Sequence, residues 1–395
     1  MASVADALKC GDHDKVRELL QRGYDPNIHI ESGTFLLEEA SRNGNLEIVK
    51  LLLEFGSDPN LCGYDNDNMT PLHFASVNGK QKILEELLNA GANTEATDKR
   101  GWTSLHRAVE RGHVSAVETL LKHGANPDCR CVDPRVNISP GRENIYLGHC
   151  PLMTAIEIGS PETVELLLKT KKVNVNYVMA GTSNLVMGLV KYKDDIVEKL
   201  LRAGADANYC NSTGCTPLYY AYDAKSVELL LDYGAHPDGC QDSSCRNRHK
   251  RTPLLWFIGH FSKAKSSSCA QLLIHRGCHI DLREKLTQKT PLDLALECRQ
   301  LSIAKALVMY GCRVSKDNRQ TFQYISSFSK DIDDFYKLWL LNPQPLSHMC
   351  CLRIRKSLQR DFVKKLDNIT HLEIPKALIR NITMQDIYEE IKGSL

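Results

Sequence analysis

The chain has 395 residues, of which 42% are hydrophobic and 25% charged, the balance of an ordinary folded protein able to bury a large core. Fifty basic against 48 acidic residues leave a formal charge of +2, which excludes a general attraction to nucleic acid or to membrane surfaces. No apolar run reaches the roughly 18 residues that a membrane span needs.

The amino-terminal stretch MASVADALKCGDHDKVRELL is polar and amphipathic and lacks an uninterrupted apolar core, so it does not read as a signal peptide. The expected location is the cytoplasm, with the nucleus also open. There the 15 cysteines are expected as reduced thiols, and the sequons at Asn137, Asn211, Asn368 and Asn381 as chance matches.

From residue 16 onward one pattern recurs: a small or branched apolar residue, two positions, then two apolar residues. Its first residues are Val16, Val49, Leu84, Val117, Val164, Val197, Val227, Ala270 and Ala304, at gaps of 33, 35, 33, 47, 33, 30, 43 and 34. Spacing of i, i+3 and i+4 predicts one buried stripe on a short helix. Eight copies carry Gly three residues after the apolar pair (Gly23, Gly56, Gly91, Gly124, Gly204, Gly234, Gly277, Gly311), where a helix ends in the left-handed conformation. In the fifth copy Lys171 takes that place. About fourteen residues before the stripe stands a second signature: TPLH at Thr70, TSLH at Thr103, CPLM at Cys150, TPLY at Thr216, TPLL at Thr252 and TPLD at Thr290. Thr as N-cap and Pro as first helical residue predict a preceding helix. The sixth copy reads SNLV from Ser183, and its first helix is expected to be poorly capped.

Helix, tight turn, helix and a Gly-led loop at this period resemble the ankyrin repeat, whose T-P-L-H-x-A signature TPLHFA and TSLHRA match. The resemblance covers about residues 1–320. It implies a mainly α ankyrin-repeat solenoid of about nine helix-pair units, with β-hairpin loops at stretches such as GADAN, GANPD and GAHPD. Such arrays stabilise each unit against its neighbours and favour binding over catalysis. His73 and His106, fourth in their signatures, are expected to bond to backbone and join adjacent repeats rather than to catalyse. Protein contacts are expected of aromatic and arginine residues: Trp102 with Lys99 and Arg100 before it, and Tyr64, Phe74 and Arg107 on the same variable face.

Two long gaps mark insertions. One lies between Gly124 and Cys150; the other adds six residues in GCQDSSCRNRHKR and four in the helical stretch holding KAKSSS. Cys240, Cys245 and His249 form C-x₄-C-x₃-H, with Cys210 and Cys215 one repeat earlier. Neither spacing is a usual zinc pair, so no metal and no cofactor is expected. No phosphate-cradling glycine loop or nucleophile elbow occurs.

After Gly311 the repeat is lost. Residues 321–342 predict a connecting helical segment, with Phe328, Ile332, Phe335, Leu338 and Trp339 apolar. Then PLSHMCCLRI places Leu346, Cys350 and Ile354 along one helical stripe, with Pro345 as a natural helix start. This tail resembles the SOCS box, a small three-helix module, over residues 343–395 with its core at 343–383. The resemblance implies that Pro345, Leu346, Cys350 and Ile354 bind elongin C. It further implies that Leu372, Ile374 and Pro375 bind a cullin. Glu373 stands where that motif has its first Pro, which favours cullin-5 and leaves cullin-2 open. The arrangement is similar to the ankyrin repeat and SOCS box family. It implies a non-catalytic substrate receptor that binds an unknown protein through the repeats, and elongin B–elongin C, a cullin and its RING protein through the box. The competing expectation is a scaffold or inhibitor that recruits no ligase and uses the tail as a cap.

Overall fold

Every apolar stripe of the sequence that the structure describes lies on a helix, in all but the seventh copy the second helix of a pair. The structure, a computed structural model, describes residues 4–30, 33–63, 67–130, 148–179, 181–240, 251–260, 263–284, 287–310 and 312. The connecting segment at 321–342, the box at 343–395 and the elongin and cullin residues named above lie outside the described residues. So do Tyr64, residues 131–147 of the first insertion and 241–250 of the second, the latter including Cys245 and His249.

The chain divides into two units, Met1–Ala205 and Asp206–Leu395. The first holds six helix pairs: α1 (Val4–Cys10) with α2 (His13–Gln21), α3 (Leu36–Asn43) with α4 (Leu46–Glu54), and α5 (Pro71–Val77) with α6 (Gln81–Asn89). They continue with α7 (Ser104–Glu110) and α8 (Val114–Lys122), α9 (Pro151–Ile158) and α10 (Pro161–Lys169), and α11 (Asn184–Val190) and α12 (Asp194–Arg202). Within this unit first helices pack on first helices and second on second, so two parallel rows form. In the second unit a 3₁₀ turn, Pro217–Tyr220, precedes α13 (Ala224–Asp232). Then come α14 (Pro253–His260) with α15 (Lys263–His275) and α16 (Pro291–Glu297) with α17 (Leu301–Met309).

In every stripe but the first, the first and fourth residues are the core; in the first, Val16 is buried with Leu20 while Leu19 is half-buried. Val49 and Leu52, Leu84 and Leu87, Val117 and Leu120, Val164 and Leu167, and Val197 and Leu200 are all fully buried. So are Val227 and Leu230, Ala270 and Leu273, and Ala304 and Leu307. Each buried Val or Leu contributes roughly 1.5–3 kcal/mol. The stripes end as expected: Gly23, Gly56, Gly91, Gly124, Gly204, Gly234 and Gly277 have φ between 86° and 91°. Lys171 takes the same left-handed turn at φ 55° without being glycine, at a conformational cost of roughly 1 kcal/mol.

Three local expectations are corrected. The first helix of the sixth copy is capped: the Ser183 hydroxyl accepts from the Val186 N–H at 3.3 Å, so Ser performs what Thr was expected to do. The seventh copy keeps TPLY yet forms only a 3₁₀ turn. Thr216 lies eleven residues before Val227 where Thr70 lies fourteen before Leu84, and the three missing residues leave no room for a second turn. The β-hairpins reduce, among the described residues, to one two-residue pair and isolated bridges. Val178–Met179 runs antiparallel to Thr182–Ser183, and His29–Phe35 and Thr97–Thr103 are single bridges. Asparagines join neighbouring loops instead: Asn60 Oδ1 accepts from the Asn93 N–H at 2.7 Å, and Asn208 Oδ1 from that of His236 at 2.7 Å. The four extra residues around KAKSSS lengthen α15 to 13 residues, where α13 has nine.

Candidate functional site

Asp98 organises the loop before α7. It is 4% exposed, and its Oδ1 accepts from the N–H groups of Arg100 (2.7 Å) and Trp102 (3.0 Å), bending the chain back on itself. Gly101, at φ 73°, supplies the left-handed step of that bend. Asp98 Oδ2 takes the Arg107 guanidinium, Nε at 2.9 Å and Nη2 closer still, while Arg107 Nη1 donates to Glu110 at 3.0 Å. Arg107 is itself buried, and these carboxylates raise its pKa further although burial alone opposes them. Its guanidinium carbon lies 5.0 Å from the centre of the Trp102 ring. Trp102 is therefore half-exposed on a fixed mount rather than on a free loop.

One repeat earlier Arg42 lies 4.3 Å over the Phe74 ring and is held by Glu38 and Glu39. Phe74 is half-exposed and Arg100 exposed. The residues expected to meet a protein partner thus occupy three settings. Arg107 is a buried brace, Trp102 and Phe74 are half-exposed rings under arginine, and Arg100 is a solvent-facing cation. Tyr64 lies outside the described residues.

The two histidines join repeats as expected. His73 Nδ1 accepts from the Thr70 N–H at 3.1 Å, so its Nε2 carries the proton and donates to the Trp102 carbonyl at 3.0 Å. His106 repeats this with Thr103 (3.3 Å) and the His149 carbonyl (3.1 Å). Burial disfavours their charged forms, lowering both and holding His106 at about 4. Glu38 fills the equivalent place one repeat earlier. Its side chain is fully buried and accepts from the Gly63 N–H at 3.0 Å. Sequence reasoning missed it because a carboxylate stands where the signature has His.

The thiols near this region are held protonated. Burial pushes Cys129 up to about 12 and Cys150 to about 11, so both act as small apolar groups at neutral pH. Cys210 is disulfide-bonded, a departure from the expected reduced state. Among the described residues no His, Cys, Asp and Glu side chains gather as a metal site. No described helix is long and apolar enough to cross a membrane.

A second surface, absent from the sequence reading, lies at the carboxyl ends of α9 and α11. Ile158, Val190 and Tyr192 are 44%, 50% and 68% exposed. Two residues before the second helix, where Tyr192 stands, the other repeats of this unit have Gly11, Gly44, Gly79, Gly112 and Gly159. Tyr192 shares their left-handed backbone at φ 56°. Aligning the repeats on that turn is the signal that finds it.

Compared with known families, the chain matches the model for ankyrin repeats (3 copies) over residues 4–98, 37–131, 90–179, 185–284 and 225–318. It matches the model for the SOCS box over residues 342–380. It is 37% identical over 94 residues to a glycerophosphocholine phosphodiesterase of Schizosaccharomyces pombe, covering 24% of this chain and 8% of that protein. It is 33% identical over 229 residues to palmitoyltransferase ZDHHC13 of Homo sapiens, covering 58% of this chain and 34% of that one. The chain therefore spans less than a tenth of the first relative and about a third of the second. Among solved structures it is similar to the ankyrin repeat domain of Bcl-3, at 29% identity, 57% of this chain, 96% of that chain and a TM-score of 0.48.

Proposed function

This chain belongs to the ankyrin repeat and SOCS box family, and from that premise we propose that it is the substrate-recognition subunit of an elongin B–elongin C–cullin-5 ubiquitin ligase. The two modules are of the non-catalytic, adaptor type. Their presence on one chain is the observation that carries the reading. An array that holds one protein and a box that holds a ligase together make a proximity device, raising the effective concentration of a substrate lysine near the ubiquitin-conjugating enzyme.

The matched box at residues 342–380 contains Pro345, Leu346, Cys350 and Ile354. In this reading they dock on elongin C, with Leu346 filling a partner pocket worth roughly 1.5–3 kcal/mol. It also contains Leu372, Ile374 and Pro375, assigned to the cullin. Glu373 in place of the motif's first Pro leaves cullin-2 as the competing scaffold. The protein substrate is assigned to the repeats, with Trp102, Phe74, Arg100 and Tyr64 as contacts and Arg107 as the brace of Trp102. The complex is placed in the cytoplasm.

Leu346→Asp tests the reading. Affinity purification of the variant should lose elongin B, elongin C and cullin while the repeats melt at the wild-type temperature. Melting of the whole array by the same change favours the rival scaffold, whose tail is an internal cap. Elongins absent from the wild-type purification would remove the ligase reading.

A further inference from the structure

The seventh copy, whose first helix is only the 3₁₀ turn Pro217–Tyr220, is held in a different way from its neighbours. Its backbone bonds are of the short-range kind: the Tyr219 N–H donates to the Thr216 carbonyl at 3.0 Å and the Ala221 N–H to that of Leu218 at 3.3 Å. Its cap is unfinished. Thr70, Thr103 and Thr290 place their hydroxyls 2.8, 3.0 and 2.7 Å from an acceptor on the fourth signature residue, which is His73, His106 or Asp293. Thr216 meets Tyr219 in that place, which offers no acceptor so near the backbone. The Thr216 hydroxyl is therefore buried without a hydrogen-bond partner among the described residues. The Tyr219 hydroxyl instead reaches the Arg251 carbonyl at 2.5 Å, the bond to the next loop that Nε2 makes in His73 and His106. Tyr219 thus does half of what a histidine does there: it latches the following copy and leaves its own helix start unsupported.

Both ends of this segment are closed on themselves. Asn211 Oδ1 accepts from the N–H groups of Thr213 and Cys215, both at 3.0 Å, and its Nδ2 donates to the Tyr220 hydroxyl at 2.9 Å, which ties residues 211–220 together. At the far end α13 starts by itself: Asp223 Oδ1 accepts from the Ser226 N–H at 2.8 Å, and the Asp223 N–H donates to Ser226 Oγ at 3.2 Å. The caps of α4, α6, α8 and α12 make no such side-chain bond. We propose that residues 211–222 are a strap that opens and closes on its own while α13 and α14 stay folded, with the Tyr219 hydroxyl as its latch. The inference goes beyond the receptor reading and does not rest on it. Closed, the strap buries Leu218, Tyr219 and Ala221, which keeps that form the major one, and lays the Tyr219 ring edge-on against Trp256 with ring centres 6.0 Å apart. Opening draws that ring off Trp256 and uncovers an aromatic seat on α14. Local opening starts where backbone bonds are few and short in range, and the self-capped α13 halts it at Asp223.

Hydrogen exchange of the full chain, read by mass spectrometry with fragmentation to single residues and corrected for intrinsic rates, tests the strap. The amides of Tyr219 and His73 are matched: each belongs to a buried residue and donates to the carbonyl of its own N-cap threonine, at 3.0 and 2.9 Å. Exchange at Tyr219 and Ala221 should be about tenfold or more faster than at His73. Tyr219→Phe removes the latch hydroxyl alone and should speed exchange at residues 219 and 221 about fivefold, with Val227 and Leu230 of α13 unchanged. Thr216→Val replaces the unpartnered hydroxyl by a methyl group and should slow the same two amides about threefold. Equal protection at Tyr219 and His73 overturns the proposal. So does a Tyr219→Phe variant that leaves the strap unchanged, or that speeds α13 to the same extent, since the whole unit would then open together. Strap exchange that Thr216→Val leaves unchanged or makes faster overturns it as well.

Discussion

His106 holds its cap through Nδ1 and the neighbouring loop through Nε2, so both ring nitrogens are committed in the neutral form. Protonation would put a second proton on Nδ1 against the Thr103 N–H, inside a buried site. The folded value is lowered to about 4, against about 6.5 in the unfolded chain. The unfolded state therefore binds more protons between those values, and stability is full above pH 6.5 and lost as pH falls toward 4. His106→Gln keeps an acceptor and a donor without titrating. The stability of wild type relative to this variant, from urea unfolding, should fall by about 3 kcal/mol between pH 7.5 and pH 4. A difference that stays flat across that range would show that His106 is not held neutral. Arg107 belongs to the same scale: removing one member of a buried ion pair leaves the other charge stranded, which makes it a brace rather than a free contact.

Among elements, α11 is the clearest case of local chemistry overriding the family pattern. Ser183 supplies the cap that Thr supplies elsewhere. Ser183→Ala should lower the unfolding free energy by about 1 kcal/mol, measured by thermal or urea unfolding; no change would mean that packing alone starts the helix. The stripes were readable in the sequence because burial imposes period 3.6 and a left-handed turn calls for glycine, both of which leave residue-type traces. The 3₁₀ turn at Pro217–Tyr220 was not, since TPLY carries the usual start signal and the deficit of three residues lies downstream. The mount beneath Trp102 was hidden too: Asp98 and Arg107 are nine positions apart, and only the bend at Gly101 brings them together. Tyr192 is legible only in repeat register, because a lone tyrosine between two lysines looks like an ordinary turn.

For the whole molecule, stability and function draw on different parts of the chain. Stability comes from nearest-neighbour packing of helix pairs within each unit, where the fully buried stripe residues lie. Function, in the proposed reading, lies in what the array leaves exposed and in the box that follows it. The most direct measurement is co-expression of the full chain with elongin B and elongin C, followed by size-exclusion chromatography with light scattering. The account predicts a single peak whose mass is that of one copy of each of the three chains. A chain that elutes at its own mass, with the elongins in a separate peak, would contradict it.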